Sequence, residues 1–366
     1  MATLPLLHSR IPYFDTLLLI SEIKMDSPPL MTSLGLFIID ENQYPPSWNR
    51  TPELDIIGGG LSYAVIGARI VSGPKYSKRI TGIVDMGLDF PPAIKKEIDS
   101  WGTGLVFRSD FSRMTTRGIN IYREDGVRDF KYISPKKRIL GEDILEVQPL
   151  ANLRTYHFCC AIDRCESTID DFLERSSLHG FSKPKFIFEP FPDVCVPQNL
   201  DALESMLHKV DVFSPNLHES ASFHQLEKSA PSEKLIRGLA EKFHKFQTSD
   251  GGVVLRCGEL GCYVLSDTVS IMLPAYHIDQ EKVVDVTGGG NSFCGAFVTA
   301  LELSGDWLLS AVLATVASGI VIEKLGMPTL ENEFWNNETV KERLTIYIDR
   351  NRSLLLKLNV SLIDHW

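Results

Sequence analysis

The sequence predicts an α/β fold in which helices cover both faces of a parallel central sheet, with a small second β-sheet beside it. Short apolar runs alternate with amphipathic segments along most of the 366 residues, a pattern typical of parallel strands joined by helices. One stretch, 115–132, instead alternates polar and apolar residues, which indicates strands with one solvated face. A chain of this length can form one large domain of this class or two.

The amino-terminal part of the chain leads into the first predicted strand. Residues 1–32 contain four prolines and are predicted to be an irregular extension. Residues 34–40 form an apolar run ending in a carboxylate, which predicts a buried strand that presents Asp40 at its carboxyl end. The glycines at 58–60 precede small and apolar residues at helical spacing, which predicts a turn followed by a closely packed helix.

The middle of the chain contains a predicted β-hairpin. Two alternating runs flank the dipeptide Asp125-Gly126, and such a dipeptide between alternating runs is a strong hairpin signal. We assign the hairpin to the small sheet, whose strands are predicted within about 104–132. A domain spanning 33–330 would contain this sheet, and 331–366 is predicted to be a helical tail packed on that domain.

The remaining elements alternate as a parallel sheet requires. Further strands are predicted at 80–86, 156–161, 185–189, 210–214 and 253–257. Helices are predicted at 91–101, 169–178, 200–207 and 234–246, and another continues to about residue 303 after the glycines at 288–290.

Composition limits the classes of partner. The formal net charge of −10 and the sequence pI of about 5.4 argue against binding to nucleic acid or to an anionic membrane surface. The seven cysteines are scattered without a CxxC pair, which argues against a zinc site or a disulfide framework. No apolar run approaches the roughly 20 residues of a membrane span. We therefore expect a cytoplasmic protein, with a nuclear location also open.

The most informative segment is the glycine run at 288–290. It follows a predicted strand end and precedes a helical pattern, so its backbone N–H groups would point toward the space before a helix N-terminus. This arrangement predicts an anion hole flanked by Asp285 and Asn291. The run matches neither a Walker A sequence nor a GxGxxG fingerprint. On these residues alone, a glycine-rich turn without a ligand is the alternative.

The same segment resembles the second signature of the PfkB, or ribokinase-like, carbohydrate kinases. That signature reads Asp-Thr-Thr-Gly-Ala-Gly-Asp, and Asp285, Thr287, Gly288 and Gly290 match it. Its final acidic position is Asn291 in this chain. The Asp-Val-Thr-Gly-Gly-Gly-Asn form is most similar to fungal members of the "maintenance of killer" type.

Other landmarks of the family occur in the same order along about 33–330. They are Asp40 at the first strand, the Gly58-Gly59 pair, the hairpin as a lid, Asn216-Leu217-His218-Glu219 as an Asn-x-x-Glu motif, the turn from Arg256 to Gly261, and 314–319 as a late helix beside the adenine. The resemblance implies a ribokinase-like fold and transfer of the ATP γ-phosphate to a hydroxyl of a sugar or nucleoside. It also implies ATP, Mg²⁺ and optionally K⁺ as cofactors, and a homodimer through the lid as one option.

The resemblance assigns roles to individual residues. The position of the catalytic base is Asn291, and the anion hole is formed by Gly288, Gly289 and Gly290. Substrate contacts fall to Asp40, Gly58, Gly59, Tyr63 and Arg117. Nucleotide contacts fall to Asn216, Glu219, Arg256, Gly258, Gly261, Asp285, Thr287 and Ala314, with Asn216 and Glu219 organising Mg²⁺ through water. A surface ion pair is the alternative role for Arg256, and a helix N-cap is the alternative for Asn216.

The amide at position 291 leaves the function open. An amide cannot act as a base, and loss of general-base assistance typically costs about 10²–10⁴-fold in rate. The chain is therefore either a slow kinase, with Asp285 as the nearest substitute carboxylate, or a pseudokinase that binds nucleotide or metabolite as a regulator. A structural role with an empty site is the third hypothesis, and the intact glycines argue against it.

Overall fold

The computed structural model describes residues 27–125, 128–147 and 150–358. The strands are β1 (Met31–Ser33), β2 (Ile38–Gln43), β3 (Glu53–Gly58), β4 (Thr81–Met86), β5 (Gly104–Ser109), β6 (Arg117–Tyr122), β7 (Arg128–Tyr132), β8 (Thr155–Cys160), β9 (Lys185–Pro190), β10 (Val212–Phe213), β11 (Gly252–Arg256), β12 (Cys262–Ser266), β13 (Ser270–Leu273), β14 (Leu330–Glu331), β15 (Phe334–Trp335) and β16 (Glu338–Thr339). The helices are α1 (Gly59–Tyr76), α2 (Pro92–Ser100), α3 (Gly141–Glu146), α4 (Ile162–Leu178), α5 (Leu200–Met206), α6 (Leu217–Phe223), α7 (Glu233–His244), α8 (Gly289–Ser304), α9 (Trp307–Val321) and α10 (Val340–Arg350).

The central sheet has the strand order β1-β8-β9-β10-β11-β12-β13. The pairs from β1 to β11 are parallel, and β12 and β13 complete the edge as antiparallel strands. A parallel bridge between Met31 and Ile80 connects the parallel β4-β5 pair to the other side of β1. The predicted parallel sheet flanked by helices is confirmed.

The strands of this sheet are continuously apolar because both of their faces are buried. In β9, Phe186 and Phe188 point into one hydrophobic core, whereas Ile187 points into the other. The first core is closed by helices α4, α5 and α7, and the second by α1, α8 and α9. Burial on both faces removes the polar alternation of a half-exposed strand, which is why short apolar runs located these strands in the sequence.

The second sheet has four strands in the order β3-β2-β6-β7. The predicted hairpin is present as the antiparallel pair β6-β7, and Gly126 of its predicted turn lies outside the described residues. The predicted boundaries of the lid need correction, because β5 pairs with β4 and not with this sheet. Strands β2 and β3 supply the other half of the lid, and β3 had no counterpart among the predicted strands.

The start of the domain also differs from the prediction. Most of the predicted extension lies outside the described residues, but Met31–Ser33 forms strand β1 within the sheet. The predicted strand at 34–40 is wrong in position, since β2 runs from Ile38 to Gln43. Asp40 therefore lies inside a lid strand, because the chain turns away from the central sheet at Leu34–Phe37 and pairs again only from Ile38.

The end of the described chain folds back on the domain. A three-stranded antiparallel sheet, β14-β15-β16, leads into α10, which buries Leu344 and Tyr347 fully. Arg343 of α10 forms an ion pair with Glu323, at the end of α9. None of the described helices has the length and the apolar character to cross a bilayer.

Helices α1 and α8 carry the two glycine loops and touch each other closely. A Cβ placed on Gly67 of α1 would lie 1.9 Å from the carbonyl oxygen of Ser292, and one placed on Gly295 of α8 would lie 2.0 Å from that of Ala64. Only glycine permits two helices to approach backbone to backbone in this way. The contact holds the N-terminal halves of the two helices against each other.

Candidate active site

The glycine run at 288–290 forms the first turn of α8, as the sequence predicted. Gly288 is the N-cap and has a φ of +77°, and a Cβ there would lie 2.1 Å from the ring of Tyr63. The loop before it is closed by Asp285, whose Oδ1 accepts a hydrogen bond from the Thr287 N–H at 2.9 Å. Asp285 thus shapes the loop, and Tyr63 is buried beneath it. The structure gives Tyr63 a packing role where we had predicted a substrate contact.

A cavity of about 270 Å³ opens beside this loop. Its polar end is lined by Asn216, Arg256, Gly289 and Gly290. Its apolar end is lined by side chains that include Tyr276, Phe293 and Ile322. Apolar walls with a few polar groups at one end are typical of a small-molecule site.

The other predicted nucleotide contacts divide into two groups. Gly258 and Gly261 line the cavity. Ala314 does not, because its side chain is fully buried in the core, and Thr315 faces the cavity from the next position of α9. The prediction was displaced by one residue, which on a helix moves a side chain about 100° around the axis.

Asn291 is bound to a carboxylate that the sequence analysis had not singled out. Its Nδ2 donates to Oε2 of Glu189 at 2.7 Å. The same oxygen lies 3.2 Å from Nε2 of His157, whose Nδ1 lies 2.9 Å from Oγ of Ser33. A buried polar chain therefore runs from β1 to the first turn of α8. Glu189 ends an apolar strand, so the rule that selected Asp40 would also have found it.

Arg256 lies on the other side of the same carboxylate. Its Nη1 contacts Oε1 of Glu189 at 2.8 Å, and both side chains are about nine-tenths buried. Burial by itself raises the pKa of Glu189, but the Arg256 guanidinium and the hydrogen bonds from His157 and Asn291 outweigh it and bring that pKa to about 2. Glu189 is therefore ionised at neutral pH and is a weak base. The predicted alternative of a surface ion pair for Arg256 is wrong, since the pair is buried.

The depressed pKa of Glu189 predicts an acid-sensitive contribution to stability. Because the folded-state pKa lies below the ordinary 4.5, the contribution is present above about pH 4.5 and is lost as the pH falls toward 2. The part of this contribution that is lost between pH 5 and pH 3 is about 2 kcal/mol. We expect Glu189→Gln to lose less unfolding free energy than wild type over this interval in urea titrations. The control is Glu241→Gln, which removes an exposed carboxylate paired with Arg237. If the unfolding free energies of wild type and Glu189→Gln change equally with pH, the low pKa assigned to Glu189 is refuted.

Asn216 and Glu219, which are predicted to organise Mg²⁺ through water, are hydrogen-bonded to each other. Oδ1 of Asn216 accepts from the Glu219 N–H at 2.8 Å, and Oε2 of Glu219 accepts from the Asn216 N–H at 2.7 Å, which is a capping box at the start of α6. That same Glu219 oxygen lies 3.6 Å from Nη2 of Arg256. A cation of the protein thus already faces this carboxylate, and the capping box argues against direct ligation of a divalent ion between the two residues. Mg²⁺ held through water stays a prediction.

The predicted substrate side adjoins the loop through α1. A Cβ on Gly58 would lie 2.0 Å from Oδ2 of Asp40, and one on Gly60 would lie 3.5 Å from Nδ2 of Asn291. Gly59 begins α1 between them with a φ of +87°. The N-terminus of α1 is therefore in contact with the lid carboxylate on one side and with the position of the base on the other.

Arg117 anchors the lid. Its guanidinium donates to Asp89, in the loop after β4, and to Asp55 of β3 at 2.9 Å. Burial lowers the pKa of Arg117, but the two carboxylates outweigh it and raise it overall. Two acidic partners already hold this side chain at the base of the lid, so the structure supports an anchoring role more directly than the predicted substrate contact.

Comparison with known proteins agrees with this geometry. The model of the "pfkB family carbohydrate kinase" matches residues 183–332. Protein MAK32 of Saccharomyces cerevisiae is 35% identical over 350 residues, which cover 90% of this chain and 95% of that protein.

Solved structures are similar in fold. Ribokinase from Giardia lamblia superposes with a TM-score of 0.66 at 15% identity, over 88% of this chain and 99% of that one. A putative ribokinase II from E. coli, in complex with ATP and Mg²⁺, gives a TM-score of 0.61 at 16% identity, over 88% and 99%. With the sequence similarity to MAK32 and the matched glycine loop, the chain belongs to the pfkB family of carbohydrate kinases.

Proposed function

We propose that this chain binds ATP in the cavity beside the glycine loop and transfers its terminal phosphate slowly to a hydroxyl of a sugar or nucleoside held under the lid. The observation that carries the proposal is that the glycine loop at 58–60 and the glycine loop at 288–290 both adjoin Asn291. The N–H group of Gly289 already donates to the carbonyl oxygen of Val286 at 3.2 Å. The N–H of Gly290 and the N-terminal end of α8 would therefore stabilise charge on the transferred phosphate, and Asp40 would accept hydrogen bonds from substrate hydroxyls. Positioning and electrostatics supply most of the catalysis in phosphoryl transfer.

The first test is ADP formation from ATP with a panel of sugars and nucleosides, in buffers with and without Mg²⁺ and K⁺. We expect wild type to show acceptor-dependent turnover, and Asp40→Asn to lower it by about 10–100-fold, since hydrogen bonds to a charged group are worth roughly 1.5–3 kcal/mol. Asp129→Asn changes an exposed carboxylate of the same sheet and is the matched control. A rate of ADP formation that is independent of the acceptor and unchanged in Asp40→Asn would contradict the proposed substrate site.

A second candidate is a nucleotide-binding protein without turnover. The contact between Asn291 and Glu189 favours it, because the carboxylate nearest to the position of the base has a pKa of about 2. Asp285, the substitute named from the sequence, caps its own loop. ATP binding with no acceptor-dependent ADP formation would select this candidate.

The lid also bears on assembly. Its outer strands β3 and β7 each pair on one side only within the sheet, and Phe130 and Tyr132 of β7 are substantially exposed. Unpaired strand edges can pair with another copy, which supports the proposed homodimer through the lid. Sedimentation velocity would test it, and a monomer at high concentration would exclude it.

A further inference from the structure

Arg256 lies at the polar end of the cavity, against the glycine loop at 288–290. It ends strand β11, and its guanidinium lines the polar end of the cavity. A Cβ on Gly290 would lie 1.9 Å from Nη1 of Arg256, so the guanidinium is packed against the bare backbone of that turn. Among the described residues that line the cavity, no other Lys or Arg is present.

The guanidinium is fixed but still has hydrogen-bonding capacity. Its Nε and Nη2 donate to the carbonyl oxygen of Ser214 at 3.2 and 2.8 Å, and Nη1 contacts Glu189 at 2.8 Å. These contacts use three of the five N–H groups of an arginine, so one N–H remains on each of the two terminal nitrogens. Such a pair matches two oxygens of a phosphate.

Two carboxylates face the guanidinium of Arg256. Glu189 and Glu219 approach the guanidinium from β9 and α6, at 2.8 and 3.6 Å. A divalent ion bound directly by Oδ1 of Asn216 and Oε2 of Glu219 would compete with the capping box of α6 and would lie beside the guanidinium. The cation that faces both carboxylates is therefore the guanidinium of the chain itself.

We propose that Arg256 supplies the cation for the polyphosphate of a bound nucleotide, so that this chain binds ATP without a divalent metal. The inference rests on the nucleotide site of the proposed function and specifies its chemistry. A guanidinium is permanently charged and pairs with phosphate in a bidentate manner, whereas Mg²⁺ must be captured from solution with its water shell.

The test compares the affinity of the intact protein for ATP in two buffers by isothermal titration calorimetry. We expect dissociation constants in excess EDTA and in excess Mg²⁺ to agree within about threefold, less than 1 kcal/mol. ATP affinity more than about tenfold weaker in EDTA would overturn the inference and leave the proposed function standing. No ATP binding in either buffer would overturn the proposed function itself.

Variants locate the effect at Arg256. We expect Arg256→Met to weaken ATP binding in EDTA by about 10–100-fold, and Arg256→Lys, which keeps the charge, to lose less. Arg237→Met removes an exposed arginine of α7 and should change nothing. If Arg256→Met fails to fold because Glu189 is left unpaired, the Glu189→Gln/Arg256→Met double variant removes both charges. Unchanged affinity in EDTA for a folded variant lacking Arg256 would refute its role.

Discussion

Asn291→Asp alone should leave ADP formation close to that of wild type, whereas Asn291→Asp combined with Glu189→Gln should raise it by about 10²–10⁴-fold, the usual value of a general base. The reason is the partner of Asn291. Its Nδ2 lies 2.7 Å from Oε2 of Glu189, and an aspartate there would bring two carboxylate oxygens to the same separation. Two carboxylates at such a distance share a proton, which raises one pKa strongly.

The second substitution removes that conflict. A glutamine at 189 can accept from Arg256 through its oxygen and donate to the new carboxylate through its amide. The aspartate then stays ionised and can take a proton from an acceptor hydroxyl. Rates are compared for wild type, both single variants and the double variant with the best acceptor of the panel. A single Asn291→Asp variant as fast as the double variant would show that Glu189 does not suppress the base.

Gly295→Ala should lower the free energy of unfolding by about 3 kcal/mol, the upper end of the usual cost of overpacking. The new methyl group would lie 2.0 Å from the Ala64 carbonyl oxygen, and this oxygen belongs to helical backbone that cannot move independently. Helices α1 and α8 must separate to admit it, which also separates Gly60 from Asn291. We therefore expect weaker ATP binding together with lower stability, measured by urea titration and calorimetry.

Gly238→Ala provides the control for this substitution. Gly238 lies in α7, and a Cβ there has no neighbour within 4 Å. Alanine at an open helical position is favoured over glycine by about 0.5–1 kcal/mol, so we expect equal or slightly higher stability. Equal stability of the two alanine variants would mean that the helix contact is softer than its geometry indicates.

Local patterns were sufficient to predict most of the fold and half of the site. Both glycine loops, the central strands and the β6-β7 hairpin are encoded in short stretches, where each residue's neighbours are close in sequence. The partner of Asn291 lies 102 residues away, and no local pattern connects the two. The same limit applies to Arg256, because its buried pairing depends on Glu189 of strand β9, which is distant in sequence.

The predicted boundaries of the lid were wrong for a different reason. Strand β5 and the lid strand β6 are close in sequence, and only the partner distinguishes them, because β5 pairs in parallel with β4 and β6 with β2. The displacement from Ala314 to Thr315 shows a related limit. In a helix buried all round, such as α9, hydrophobic periodicity carries no information on which face meets a cavity.

The backbone contact between α1 and α8 has a consequence for cooperativity between ligands. One helix begins at the loop beside Asp40 and the other at the loop beside the nucleotide cavity, and Gly67 and Gly295 leave no free space between them. We therefore expect a displacement of one loop on ligand binding to shift the other loop as well. Since such coupling is reciprocal, ATP should change the affinity for the acceptor by the same factor by which the acceptor changes the affinity for ATP.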